Sequence, residues 1–172
     1  MIVCTAGHRP SGLPGGYSVE TAKNLARVAA MAIEATELTK VITGMALGWD
    51  QALANAAHLY GIEIVAAVPF QGFDGRWPEA SRKEYRRLLG AADQIIYVDE
   101  LDDERYKARN KFLSLGTYSP IKMQTRNTWM VDHSDAIYAL WSGSSGGTAN
   151  CLEYARKVNK PICNFWNDFI GV

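Results

Sequence analysis

Cysteine is scarce in this chain. Its three residues, Cys4, Cys151 and Cys163, are odd in number and show no CxxC spacing, which argues against a disulfide framework and a zinc site and points to free thiols in a reducing compartment. Long apolar runs are missing too. None reaches the roughly 18 residues that a membrane-spanning helix needs, and the apolar stretch Met1-Ile2-Val3-Cys4-Thr5-Ala6 is too short, and lacks the basic flank, to act as a signal peptide. A cytoplasmic location without a membrane partner is the expectation. Nor is there an excess of either charge: eighteen basic residues face eighteen acidic ones. That balance removes the footprint of a protein that grips an extended nucleic acid over many phosphates, so phosphate contact is expected to be local.

What is present is the composition of a globular protein, 172 residues with 48% hydrophobic and 21% charged. A chain of this length buries about 70% of the surface its unfolded form exposes, so neither disulfides nor metals are needed for stability. Residues 1–172 read as a single Rossmann-like domain. Short β-branched or apolar runs at residues 2–6, 40–43, 62–68, 94–98, 136–141 and 161–165 alternate with helical patterns. This is the signature of an α/β fold with a mainly parallel central sheet covered by helices on both faces, a three-layer αβα build.

Leu25, Val28, Ala32 and Ile33 recur at helical spacing behind Ser18, predicting a helix over residues 19–37. A second helix is expected from Gly48 and a third after Pro78, with Gly61 and Gly90 as their terminators. Residues 102–118 read as a charged helix followed by a loop, and a last helix is expected from Gly147 to Asn159.

Ligands of open parallel sheets bind beyond the carboxyl ends of the strands. Three of those turns are rich in glycine: Gly7-His8-Arg9-Pro10-Ser11-Gly12-Leu13-Pro14-Gly15-Gly16-Tyr17 after the first strand, Gly44-Met45-Ala46-Leu47-Gly48-Trp49-Asp50 after the second, and Gly143-Ser144-Ser145-Gly146-Gly147-Thr148 after the fifth. Any tight connection uses glycine, but three such turns on one edge suit backbone amides that approach an anion. The serines and threonine of the third turn add hydroxyl donors; without a lysine it is not a P-loop.

Several side chains carry two readings each. Arg9 can fork onto a phosphate or carboxylate, or form a surface ion pair. His8 can meet the same ligand or cap its loop. Asp50 can complement the dipole of the second helix, or serve as a ribose partner or general base. Phe70, Phe73 and Trp77 suit stacking on a base or packing in the core. The basic run Arg82-Lys83 and Arg86-Arg87 reads as a solvated helix face.

The segment Met123-Gln124-Thr125-Arg126-Asn127-Thr128-Trp129-Met130, followed by Ser134-Asp135-Ala136 and the turn at residues 143–148, resembles the SLOG superfamily, which joins the Lonely Guy phosphoribohydrolases with DNA-processing protein A. Gly7-His8-Arg9-Pro10, the turn at residues 44–50, Pro69-Phe70 and Trp77 look closer to its YspA and YpsA-like branch. The resemblance implies a nucleotide or nucleotide-derived ligand, Arg126 at the Lonely Guy arginine with Asn127 in place of its lysine, and phosphate on the turn at residues 143–148. The Lonely Guy glutamate, three residues after the motif threonine, is replaced by Cys151.

Binding as a sensor or sequestering module is therefore one expectation. A nucleoside 5'-monophosphate N-glycosidase that uses Asp50 with Arg126 is another, and single-stranded DNA binding a third. Gly7, His8, Arg9, Gly44, Gly48, Phe70, Trp77, Asn127, Gly143, Ser144, Ser145, Gly146, Gly147 and Thr148 are the expected ligand-binding set, with no cofactor or metal. The apolar helix faces and the resemblance suggest a homodimer.

Overall fold

A computed structural model describes residues 1–171. Six strands, β1 (Ile2–Gly7), β2 (Lys40–Thr43), β3 (Glu63–Val68), β4 (Gln94–Tyr97), β5 (Ala136–Leu140) and β6 (Ile162–Asn164), form one sheet in the order β4-β3-β2-β1-β5-β6. All neighbours run parallel, with Val3 opposite Val41 on one side and Ala136 on the other. The chain winds outward from β1 through β2 to β4, then returns to place β5 on the opposite flank of β1. The crevice outside the carboxyl ends of β1 and β5 is thus the switch point at which such sheets hold ligands.

Alternation within each strand divides the core. Val3, Val41, Ile64 and Tyr138 face one side, against α1 (Val19–Glu34), α2 (Trp49–Leu59) and α3 (Glu79–Ala91). Cys4, Ile42, Val65 and Ile137 face the other, against α5 (Pro120–Asp132) and α6 (Gly147–Lys157). Between β4 and α5 lie α4 (Glu104–Asn110) and a loop over residues 111–119; α7 (Trp166–Ile170) follows β6. No helix among the described residues is long and apolar enough to cross a membrane.

The elements match the periodicity closely, with local corrections. The first helix starts at Val19 with the Ser18 hydroxyl accepting from the Thr21 amide, but stops at Glu34, three residues before the expected end. Gly61 follows the second helix at φ +68°, as a terminator should, whereas Gly90 lies inside α3, which continues to Ala91. Gly48, at φ +94°, holds the N-cap position of α2, and Asp50 lies in its first turn, where a carboxylate complements the helix dipole. The basic face of α3 is not merely solvated. Arg82 and Arg86 reach Asp74, 8% exposed, at 3.6 and 3.3 Å and so pin the loop after β3.

Candidate functional site

At the carboxyl edge, β1, β2 and β5 end around a cavity of about 410 Å3. Its wall includes Gly7, His8 and Arg9 from the first turn, Asp50 from α2, Arg126 and Asn127 from α5, and Gly147 and Thr148 from α6. A second hollow of about 830 Å3 has Arg9 and Tyr118 in common with it and is walled by Phe70, Phe73 and Trp77.

Arg126 is the buried centre of the first cavity, at 4% exposure. Its guanidinium donates through Nη1 to the Gly44 carbonyl and through Nε to Asn127 Oδ1 at 2.9 Å. Asn127 in turn donates to the Gly147 carbonyl at 3.5 Å, a long bond that ties α5 to the start of α6. Burial pulls the guanidinium below its ordinary range, opposed first by the Asp50 charge. Asp50 is buried as well, and its carboxylate accepts from the Ala46 amide at 3.3 Å. Burial pushes the Asp50 carboxyl above its usual range, opposed first by Arg126 and then by the Thr5 hydroxyl, the Ala46 amide and Arg9. A buried carboxyl shifted by desolvation beside a specific cation is a recurrent mark of functional sites.

The second turn is held in an uncommon shape. Met45 is fully buried at φ +56°, a conformation that β-carbons resist, and its N–H donates to the Thr43 hydroxyl while its carbonyl accepts from the Gln51 amide, both at 3.1 Å. This turn presents the Gly44 carbonyl to Arg126.

At the third turn, Gly146 caps α6 at φ +134° without a side-chain bond, and the first turn of α6 holds no acidic residue. The leading amides are therefore open to an anion. Thr148 spends its hydroxyl on the Gly7 carbonyl at 3.1 Å. Gly143, Ser144, Ser145 and Gly146 are exposed and lie outside the wall of both cavities. Ser144 instead meets Ser142 and Trp141.

His8 supports this turn. The Ser142 amide donates to His8 Nε2 at 2.9 Å, and the Ser142 hydroxyl lies at the same distance, which makes Nε2 the unprotonated nitrogen. Partial burial holds the imidazole below its ordinary range. A depressed value means stability that is full above the unfolded pKa of about 6.5 and is lost as pH falls through the folded value. Urea unfolding of the wild type is therefore expected to show lower stability at pH 5.5 than at pH 7.5, with the difference reduced in His8→Gln; an equal drop in both proteins would remove His8 from the effect.

Gly44 and Gly48 are not wall residues of these cavities. Gly44 lies beneath the site against Arg126 and Asp50, and Gly48 packs on the His8 carbonyl while facing a groove between α1, α2 and α3. Phe70 and Trp77 border the hollow, yet both also belong to the core: Phe73 meets Trp77 and Phe70 edge-on at 5.0 and 5.7 Å. The cavity wall also holds Thr5, Tyr118, Met123 and Gln124, none of them in the expected ligand-binding set, although Met123 and Gln124 belong to the motif around Arg126. The spacing of Met123 to Arg126 and Asn127, three and four residues, was a signal for one helical face. Cys151 also lines the cavity, and burial pushes its thiol up to about 12, so it stays protonated at neutral pH. Among the described residues no three of His, Cys, Asp and Glu gather as a metal-ligand set.

The model of the YspA SLOG family matches residues 19–162. The chain belongs to that family. The SPbeta prophage-derived protein YoqJ of Bacillus subtilis (strain 168) is 44% identical over 124 residues, covering 69% of this chain and 70% of YoqJ. The UPF0398 protein BH1768 of Halalkalibacterium halodurans is 29% identical over 97 residues, 56% of this chain and 44% of that protein, so the chain matches less than half of that relative's length.

Among solved structures, DNA processing protein A from Streptococcus pneumoniae superposes with a TM-score of 0.63 at 17% identity, covering 94% of this chain and 49% of that one. The Helicobacter pylori protein of that name, whose single-stranded DNA binding mode has been described, gives the same TM-score and identity over 95% of this chain and 64% of that one. At this identity the likeness is one of fold: a Rossmann-like α/β module of the SLOG type.

Proposed function

We propose that this protein binds a nucleotide or nucleotide-derived ligand at the carboxyl edge of its sheet, as a sensor or sequestering module. The observation that carries this is the convergence of buried Arg126, Arg9 and the open amino end of α6 on one cavity that adjoins an aromatic hollow. In this reading a phosphate lies between Arg126 and the leading amides of α6, where the helix dipole and the guanidinium both favour negative charge. The base lies toward Tyr118 and Phe70, where stacking is tolerant of its identity.

A second reading rests on Asp50. Its carboxyl lines the cavity, and its raised pKa is the property of a proton donor or acceptor poised for catalysis. In N-glycoside hydrolysis, water would add to the ribose C1', the bond to the base nitrogen would break, and the base would leave with a proton. Cys151, where the Lonely Guy motif has glutamate, is a protonated buried thiol unsuited to that task.

Purified protein incubated with the four nucleoside 5'-monophosphates separates the readings. Binding by calorimetry without free base by chromatography supports the sensor or sequestering role; base release that Asp50→Asn abolishes, with affinity retained, makes the protein a hydrolase. Absence of binding to every monophosphate, together with retention of a labelled single-stranded oligonucleotide that weakens steeply with salt, would overturn both.

A further inference from the structure

The ten arginines fall into two groups. Most are committed: Arg27 to Asn24 and the Asp168 carbonyl, Arg87 to Glu84, Arg105 to Asp103, Arg109 to Thr128. Arg82 and Arg86 hold Asp74, Arg126 holds Gly44, and Arg156 lies over the Trp141 ring. Among the described residues, only Arg9 and Arg76 have no carboxylate within 4.0 Å, no side-chain hydrogen bond and no aromatic ring beneath them. Both border the second hollow.

The reason for Arg76 being free is local. Asp74, two residues earlier in the same loop, is already engaged by Arg82 and Arg86 from α3. The loop is pinned by one pair of cations while another is left facing the hollow. No acidic residue lies in that wall, whose remaining surface is Phe70, Phe73, Trp77, Tyr118 and short loop backbone. Two guanidiniums at an aromatic hollow, neither held in a direct ion pair, are a receptor for an anion attached to a ring system, since guanidinium both forks onto phosphate oxygens and stacks on π-faces.

We infer that the ligand carries a second phosphoryl group, bound in the aromatic hollow by Arg76 together with Arg9, which borders both cavities. This rests on the nucleotide-binding reading above and narrows it: one phosphate at Arg126 and α6, another phosphoryl toward Arg9 and the loop after β3, and the ring against the aromatic wall. The second group can be attached across the ribose or in line with the first, and the two attachments give different reach.

Calorimetry with AMP and GMP, with ADP and GDP, and with the adenosine and guanosine 3',5'-bisphosphates tests it. At least one two-phosphoryl series is expected to bind about tenfold or more tightly than its monophosphate, the gain of a charge-assisted pair; the series that gains identifies the attachment. Arg76→Gln, on an exposed loop, is expected to remove the gain and leave monophosphate affinity unchanged. Monophosphate binding with no gain from either series, or a gain that survives in Arg76→Gln, overturns the inference and leaves the nucleotide reading standing. Failure of all six nucleotides to bind overturns both.

Discussion

Alanine at Gly44 is expected to strip the protein of most of its affinity for phosphate-bearing ligands while the fold survives. A methyl group built there would lie 2.6 Å from Arg126 Cζ and 2.7 Å from Asp50 Oδ2, closer than real side chains approach. Arg126 is buried and lines the cavity, so its guanidinium can yield into it, where it would leave the Gly44 carbonyl and occupy the proposed phosphate position. Loss of charge-assisted contacts of about 1.5–3 kcal/mol corresponds to a roughly 10- to 150-fold weaker Kd. Calorimetry with the best-bound monophosphate reads this directly, and thermal unfolding followed by circular dichroism checks the fold. Wild-type affinity in Gly44→Ala would show that Arg126 is not where the anion is held. Gly7 makes a useful contrast, because a methyl group there would meet the Trp49 side chain at 2.5 Å in the centre of the core, and the damage would be to folding.

The second large effect concerns a pair that touches no ligand. Lys122 and Asp99 form an ion pair of 2.7 Å with both side chains fully buried. Lys122 also donates to the Ser114 carbonyl at 2.7 Å, and Asp99 accepts from the Gly116 amide at 3.1 Å, so the pair fastens the loop over residues 111–119 that brings Tyr118 to the cavities. Removing one partner leaves the other charge stranded away from water. Lys122→Met is expected to lower stability by about 3–5 kcal/mol, and at about 2–4 °C per kcal/mol for a chain of this size the melting temperature should fall by roughly 6–20 °C. Replacing both, as Lys122→Met with Asp99→Leu, should recover a good part of the loss, because the stranded charge and not the missing attraction dominates the penalty. A single variant within 1 kcal/mol of wild type, by urea unfolding, would show that water reaches the pair.

Much of the sheet was legible because strands buried on both faces read as short apolar runs, and β2 was delimited to the residue. The helix that matters most to the site was not. On α5 the buried positions include Lys122, Thr125, Arg126 and Thr128, so its inward face carries the polar residues that normally mark an outward one, and hydrophobic periodicity has little to report. Arg126 was located through its motif instead. Arg82 and Arg86 show the opposite difficulty: their helical spacing was plain, but their partner Asp74 lies in a loop whose path no periodicity encodes. The left-handed Met45 left no trace either, since methionine has no preference for that conformation and only the bonds from Thr43 and Gln51 hold it there. His8 was visible at the right edge, and its bond from the Ser142 amide, which supports the turn, could not be read from sequence. The exposed serines at positions 144 and 145 lie outside the cavity wall, and the path of their turn is something that sequence does not encode.

Uniform strand direction has a practical corollary. Every helix-to-strand link, at residues 35–39, 60–62, 92–93, 133–135 and 158–161, falls on the rim opposite the cavities. Those links are handles for engineering: a dye, an affinity peptide or a new chain opening introduced at one of them sits a full strand length from the ligand edge, so that occupancy can be reported without the reporter intruding on what it measures.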